Sequence, residues 1–237
     1  MKFNITPEIF EKLPNMYVGV VVAHDINNQL AYPEISQMLD KYEHIAQDKF
    51  AGVNVKEREE IIPYREAFRQ LGINPNKYPC SVEALFKRLS KGKDLPHINP
   101  LVDLNNAISL KYTLPMGTHN LDNAQDNIEM RIADPDVDTF IPLGKTVDSI
   151  EKPDNGEVIY TVGNEVRTRR WTWRQSDQGK ITPETKNVFF PIDGFSDINK
   201  SQVDQAVQDL ATQLEKFFNV SVQTGIVDKA HPSFEWK

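Results

Sequence analysis

The apolar positions in the amino-terminal part of the chain recur mostly at helical spacing. One continuous apolar run, residues 17–23, is rich in β-branched side chains and predicts a buried strand. Helices are predicted around this strand, over residues 7–13, 34–47, 56–70 and 81–90. Pro63 is expected to bend or interrupt the third of them. We therefore expect residues 1–95 to form a mainly helical part.

From about residue 96 the pattern changes to short segments separated by Pro and Gly. Strands are predicted over residues 158–162, 166–173, 188–192 and 220–227. One further helix is predicted to start at a capping box, Ser201 to Asp204, and to carry apolar residues on one face as far as Phe218. This mixture predicts an α+β fold in a single domain, residues 1–237, in which residues 96–237 are β-rich and include the carboxyl-terminal helix.

Composition narrows the classes of function. The 34 acidic residues outnumber the 27 Lys and Arg, so the formal net charge is −7 and any nucleic acid would have to bind at a local basic patch. The longest apolar run is far shorter than the roughly 20 residues that span a membrane, and the first residues lack a secretory-signal pattern. Cys80 is the only cysteine, so no internal disulfide can form. We expect a soluble, cytoplasmic protein with no membrane partner.

A dense group of polar side chains leads up to His119. Asp103, Asn105 and Asn106 stand among apolar residues, where each needs a hydrogen-bond partner or costs about 1–3 kcal/mol. His119 follows a turn-like segment, residues 115–118, which would place its imidazole beside exposed backbone N–H groups, as in an acyl-transfer site. Two interpretations stay open: a catalytic site, or side chains that cap a helix or pin a turn together with an ordinary histidine.

Arginine and tryptophan alternate between residues 167 and 176. In a strand, one face would carry Arg167, Arg169, Trp171 and Trp173, and the other would carry Arg170, Thr172 and Arg174. Such interleaving suits phosphate contacts and stacking on unpaired bases, which is how proteins commonly hold single-stranded RNA. The alternative is an aromatic core strand whose arginines pair with acidic residues of the same chain.

Several familiar catalytic motifs are absent from the sequence. It has no Gly-rich phosphate loop, no G-x-S-x-G elbow and no H-E-x-x-H, and the lone cysteine has only scattered histidines to accompany it. We therefore expect neither a bound metal nor any other cofactor.

Five short motifs occur in the order found in a known family. A D-x-x-N segment, Asp103 to Asn106, leads to Pro115 and then to residues 119–122, which take the place of an H-A-F-D sequence. An Ile-x-x-Arg-x-Ala element is matched by Ile128, Arg131 and Ala133, and a Leu-Gly turn by Leu143 and Gly144. Residues 169–176 are similar to an Arg-x-Trp-x-Trp-Arg-Gln-Ser segment. The chain thus resembles, over most of its length, the editing domain of the phenylalanyl-tRNA synthetase beta chain and its freestanding, B3/B4-type relatives.

The resemblance implies layered β-sheets covered by helices, and hydrolysis of the ester that joins a wrong amino acid to tRNA, performed without an attached synthetase. It implies that His119 and Asn105 orient water and ribose, and that backbone N–H groups near Gly117 stabilise the oxyanion without a metal. The other residues implied to bind the substrate are Asn106, Gly117, Thr118, Trp173, Arg174, Gln175 and Asp193. Those implied to bind RNA are Arg167, Arg169 and Arg170.

Two other functions stay open beside this tRNA-editing deacylase. One is a module that binds tRNA or another RNA without reaction, and the other is a small-metabolite hydrolase or sensor that uses the same pocket. The oligomeric state is not predicted.

The chain departs from the family pattern at the amino-acid pocket. Trp173, Arg174 and Gln175 replace a glycine-rich turn, and Asp193 follows the apolar strand where the family has a glutamate, if the register shifts by two. A carboxylate facing the pocket would favour a cationic or polar amino acid, so tyrosine is expected to be a poor substrate. Alternatively, Asp193 pairs with Arg174 inside a neutral pocket.

Overall fold

Helices and strands follow one another along the whole chain in the computed structural model, which describes residues 1–237. The helices are α1 (Pro7–Lys12), α2 (Pro33–Phe50), α3 (Ile62–Gln70), α4 (Ser81–Leu89), α5 (Pro100–Tyr112) and α6 (Lys200–Phe218). The strands are β1 (Lys2–Ile5), β2 (Met16–Ala23), β3 (His119–Asn120), β4 (Ile128–Ile132), β5 (Val158–Val162), β6 (Glu165–Arg169), β7 (Arg174–Gln175), β8 (Val188–Phe195), β9 (Val222–Asp228) and β10 (Ser233–Glu235). Two 3₁₀ turns lie at Val55–Glu57 and Val147–Ser149.

The strands form two sheets that pack against each other. The large sheet has the strand order β10-β1-β4-β5-β6-β7, and the small sheet has the order β3-β8-β2-β9. Side chains alternate along β8, so Phe189 faces the large sheet, where its ring lies 5.1 Å from that of Phe3. Phe190 and Ile192 face the other way and belong to the apolar cluster under α5 and α6. The two faces of the small sheet therefore serve two different cores.

Helix α6 lies close to the small sheet because β2 has a glycine at the contact. A Cβ atom on Gly19 would overlap Val207 Cγ2 of the helix. The buried apolar face of α6 includes Val203, Val207, Leu210 and Leu214, each of which contributes about 1.5–3 kcal/mol when fully buried. This packing holds β2 and β8 in place from behind.

The structure confirms the α+β class and the layering of sheets and helices predicted for the fold. Residues 1–95 contain α1 to α4 with β1 and β2, and residues 96–237 contain α5 and α6 with the other strands. The sequence did not predict α5, because eight of its 13 residues are buried and it lacks the polar face of an amphipathic helix. No helix has the length and apolar character needed to cross a membrane.

Three local predictions were wrong. The strand predicted over 166–173 ends at Arg169, because Arg170 and Trp171 adopt positive φ angles of 49° and 60°. The helix predicted over 56–70 begins only at Ile62, and Pro63 lies in its first turn, where a missing N–H costs nothing. The capping box at Ser201 is absent, because α6 begins one residue earlier and its N-cap is Asn199.

Candidate functional site

A cavity of about 200 Å³ lies between the two sheets. Pro191 and Asp193 of β8 line it from the small sheet, and Tyr160 of β5 and Thr168 of β6 line it from the large sheet. The other lining residues come from the start of α4, the segment before β3, and the turn between β6 and β7: Ser81, Met116, Gly117, His119, Trp171, Thr172, Trp173, Arg174 and Gln175. The buried side chains of Tyr160, Trp171 and Asp193 form the floor of the cavity, whereas the exposed Arg174 lies at its mouth.

Asp193 is the only carboxylate that lines this cavity, and it is 2% exposed. Its Oδ1 accepts hydrogen bonds of 2.7 Å from the Tyr160 hydroxyl and from Trp171 Nε1. Burial raises the pKa of Asp193 to about 7, and the two hydrogen bonds offset part of that rise. Asp193 forms no ion pair, so the alternative that it pairs with Arg174 is wrong.

His119 lies in β3, which pairs with β8 so that His119 stands opposite Phe189. The imidazole is buried beside the rings of Tyr160 and Phe189, with centroids 5.6 and 5.8 Å away. Its Nδ1 is enclosed without a hydrogen-bond partner. Burial, with a smaller effect of the Arg167 charge, lowers the pKa of His119 to about 3. The ring is therefore neutral at physiological pH.

Gly117 leaves room for the imidazole. A Cβ atom at this position would lie 3.2 Å from His119 Nε2 and 3.2 Å from Pro191 Cγ, closer than ordinary van der Waals contact. The Gly117 N–H donates to Pro191 O at 3.0 Å. This N–H is therefore already paired, and Gly117 contributes to the site through the space that it leaves in the wall.

The turn between β6 and β7 places Trp171 under the cavity. Trp171 is fully buried, its backbone N–H donates to Val158 O at 2.7 Å, and its indole reaches Asp193. Trp173, Arg174 and Gln175 follow in the same segment and also line the cavity. The Gln175 side chain ties this wall to the segment before β3 by donating to the carbonyl oxygens of Thr118 and Gly179.

Comparison with known proteins places the chain in a family. The B3/4 domain family matches residues 63–232, which is most of the chain and includes every lining residue of the cavity. The chain belongs to the B3/4 domain family. None of the curated proteins matches its sequence.

A solved structure has a similar fold to this B3/4 chain. It is an N-terminal fragment of the phenylalanyl-tRNA synthetase beta subunit from Pyrococcus horikoshii, with a TM-score of 0.50 and 13% sequence identity. The match covers 93% of this chain and 49% of the fragment, so the B3/4 chain spans about half the length of that structure. At this identity the similarity concerns the fold.

The arginines predicted to bind RNA are inside the B3/4 fold. Arg169 donates to both carboxylate oxygens of Glu157 at 2.9 and 2.8 Å, and it is 5% exposed. Arg167 is 0% exposed and donates to Glu165, Asn123 and a backbone carbonyl. Arg170 pairs with Asp154 at 2.6 Å. The prediction of an RNA-binding face is therefore wrong for these three residues, and their pairing with acidic residues is the alternative that holds.

Three further predicted site residues are not in the cavity. Asn105 and Asn106 belong to α5, which covers the opposite face of the small sheet together with the cluster around Phe190. Thr118 is buried and contributes its carbonyl to Gln175 rather than a side chain to the lining. The D-x-x-N segment thus folds behind β8, away from the cavity.

Sequence reasoning missed two residues that build the floor. Tyr160 was hidden in a strand of β-branched residues, and Trp171 was placed in a strand rather than in a turn. Both are polar aromatics, whose hydroxyl and indole N–H need a partner when buried. That requirement was the available signal, because Asp193 is the acceptor for both.

Proposed function

We propose that this B3/4 chain hydrolyses the ester bond of an aminoacyl-tRNA, with the aminoacyl group bound in the cavity between the sheets. The observation that carries the proposal is His119, a buried cavity-lining imidazole whose Nδ1 has no hydrogen-bond partner in the protein. A buried polar group without a partner is costly, and such groups collect at ligand-binding and catalytic sites. Membership of the B3/4 family and the fold shared with a synthetase subunit support a substrate of this kind.

The size of the cavity suits one amino-acid residue. Its volume of about 200 Å³ is below the roughly 300–1,000 Å³ of sites that enclose drug-sized ligands. The mouth opens beside Trp173 and the exposed Arg174, so the nucleotide end of the substrate would remain outside. An aminoacyl group entering from the mouth would bring its side chain toward the floor and its ester toward the wall at His119.

In this proposal the neutral imidazole of His119 holds a water molecule by a hydrogen bond. With a pKa near 3 it is a weak base, but it accepts or donates a hydrogen bond and can orient a water molecule at the ester carbonyl. The water oxygen forms a bond to the carbonyl carbon, and the bond from that carbon to the ribose oxygen then breaks. One proton of the water passes to the ribose oxygen, giving the free amino acid and uncharged tRNA.

A second candidate function is hydrolysis of a small amino-acid derivative without RNA. The burial of Arg167, Arg169 and Arg170 favours it, because these side chains do not offer phosphate contacts at the surface. The net charge of −7 also disfavours attraction of a polyanion over long range.

The two candidates are separated by presenting the same amino acid in two forms. A set of aminoacyl-tRNAs and the matching amino-acid ethyl esters are incubated with the wild-type protein and with His119→Gln, and release of the free amino acid is measured. The proposal expects rapid release from at least one aminoacyl-tRNA, slower release from its ethyl ester, and loss of both in the variant. Equal rates for the two forms at equal concentration would favour the small-molecule function.

A further inference from the structure

The floor of the cavity holds a carboxylate without a cation. Asp193 lies at the base of the cavity, away from Arg174 at its mouth. It forms no ion pair, although many of the buried charges elsewhere in the chain are paired. Buried carboxylates in proteins are normally paired or neutralised, because burial removes the hydration of the charge. The unpaired carboxyl group of Asp193 is therefore a partner that a ligand can supply with a cation.

The hydrogen bonds to Asp193 involve only one of its two oxygens. Oδ1 accepts from Tyr160 and Trp171, while Oδ2 accepts from no protein group. The two donors fix the plane of the carboxylate and leave the second oxygen for the cavity. Aromatic side chains stand around it, since Tyr160, Trp171 and Trp173 all line the same space. A carboxylate combined with aromatic rings is the environment that organic ammonium groups prefer.

We propose that Asp193 Oδ2 binds a protonated amine of the ligand, so that this cavity takes an amino acid through an ammonium group. This rests on the proposed function only in identifying the amine as part of an amino acid. Two amines meet the description, the α-ammonium and the ammonium of a basic side chain. The depth of Asp193 favours the side-chain ammonium, because the ester must remain near the mouth while the side chain reaches the floor.

Four analogues in which a carboxamide replaces the ester separate these amines without being hydrolysed. L-lysinamide carries both amines, Nε-acetyl-L-lysinamide carries the α-amine, 6-aminohexanamide carries the side-chain amine, and hexanamide carries neither. Their binding to the full-length protein is measured by calorimetry, and by the shift of the Trp171 indole N–H signal in ¹⁵N NMR spectra. The indole is a direct probe because its donor bond ends on the carboxylate that would bind the amine.

Asp193→Asn is the matched substitution, since the amide keeps an oxygen that accepts from Tyr160 and Trp171 and removes the charge. We expect lysinamide and 6-aminohexanamide to bind the wild-type protein at least about tenfold more tightly than this variant. Hexanamide should bind both proteins equally weakly. Asp148→Asn, which removes the same charge from an exposed 3₁₀ turn, should leave every affinity unchanged and so controls for the overall field.

The inference is overturned if hexanamide binds the wild-type protein as tightly as the amines, or if Asp193→Asn leaves all four affinities unchanged. If the variant does not fold, the wild-type NMR titration decides, because an indole shift with hexanamide equal to that with 6-aminohexanamide contradicts an ammonium site. Preference for Nε-acetyl-lysinamide over 6-aminohexanamide assigns the site to the α-ammonium. Binding of amines without hydrolysis of any aminoacyl-tRNA contradicts the proposed function alone, and hydrolysis without amine preference contradicts this inference alone.

Discussion

Trp171 and Asp193, 22 residues apart in the chain, are joined by a 2.7 Å hydrogen bond from the indole N–H to the carboxylate. The bond links the turn after β6 to the middle of the small sheet, so one contact closes the floor of the cavity from both sides. It also holds a buried acid whose pKa lies close to neutrality. The properties of the site that follow from this pair are open to measurement without knowledge of the substrate.

Asp193 should make stability depend on pH. Its pKa rises from 3.8 to about 7 in the folded protein, so between those values the folded chain keeps a proton that the unfolded chain has lost. The free energy of unfolding should therefore fall as pH rises through this window, by a few kcal/mol attributable to Asp193. Urea unfolding of the wild-type protein and Asp193→Asn at several pH values tests this. The free energy of unfolding of the variant should rise relative to that of the wild type from about pH 4 to pH 7. A difference between the two proteins that does not change with pH would contradict a buried, unpaired acid at this position.

His119 should act in the opposite direction. Its pKa falls from 6.5 to about 3, so below pH 6.5 the unfolded chain takes up a proton that the folded chain does not. The stability that this contributes is present above pH 6.5 and is lost as pH falls toward 3. Replacement by Gln should remove that loss, so the free energy of unfolding of His119→Gln should rise relative to that of the wild type as the pH falls below 6.5. An unchanged difference between the two proteins from pH 7 to pH 4 would mean that the imidazole is accessible to protons.

Arg169 should matter for stability rather than for RNA binding. Arg169→Gln leaves Glu157 buried without its bidentate partner, and breaking a buried pair typically costs about 3–5 kcal/mol. Arg174→Gln is the control, because the exposed Arg174 has no ion pair and its loss should change stability by less than about 0.5 kcal/mol. Chemical denaturation of both variants provides the comparison. Equal stability of the two variants would contradict a buried ion pair between Arg169 and Glu157.

Gly117 should tune the reaction by leaving space for His119. In Gly117→Ala the added methyl group presses on His119 Nε2 and on Pro191, so the imidazole must shift. Misplacement of a catalytic group by about 1 Å costs up to about a hundredfold in rate, so we expect a loss of about ten- to a hundredfold in hydrolysis with little loss of folded protein. Thr118→Ser, at the next position and outside the cavity, serves as the control. Full activity of Gly117→Ala would contradict the role given to the ring.

Much of the fold could be predicted because its signals are local. The apolar run of β2 and the one-sided apolar pattern of α6 indicate their own structure, and both elements are present. Helix α5 escaped prediction because it is buried on most sides and so loses the periodic contrast that marks a helix. The sequence pattern therefore identified the buried strand β2 and the one-sided helix α6, but not the internal helix α5.

Part of the candidate site could be predicted from single residues. His119 was selected for the chemistry of its imidazole and Asp193 for its place after an apolar strand, and both line the cavity. Asn105 was selected for its place in a motif, but α5 carries it to the far side of β8. The prediction for Arg169 failed for another reason, because its partners Glu157 and Glu151 lie 12 and 18 residues away in the sequence. A local sequence pattern predicts neither which side of a sheet a helix covers nor which distant residue pairs with an arginine.

The rate at which the protein releases amino acids from a complete set of aminoacyl-tRNAs under single-turnover conditions tests the proposed hydrolysis most directly. We predict that at least one aminoacyl-tRNA is deacylated well above the rate in buffer, with a basic amino acid ahead of tyrosine. We also expect His119→Gln to lower that rate by about 10²–10⁴-fold while remaining folded. Release at the buffer rate from every aminoacyl-tRNA, by a protein shown to be folded, would contradict the proposed hydrolysis.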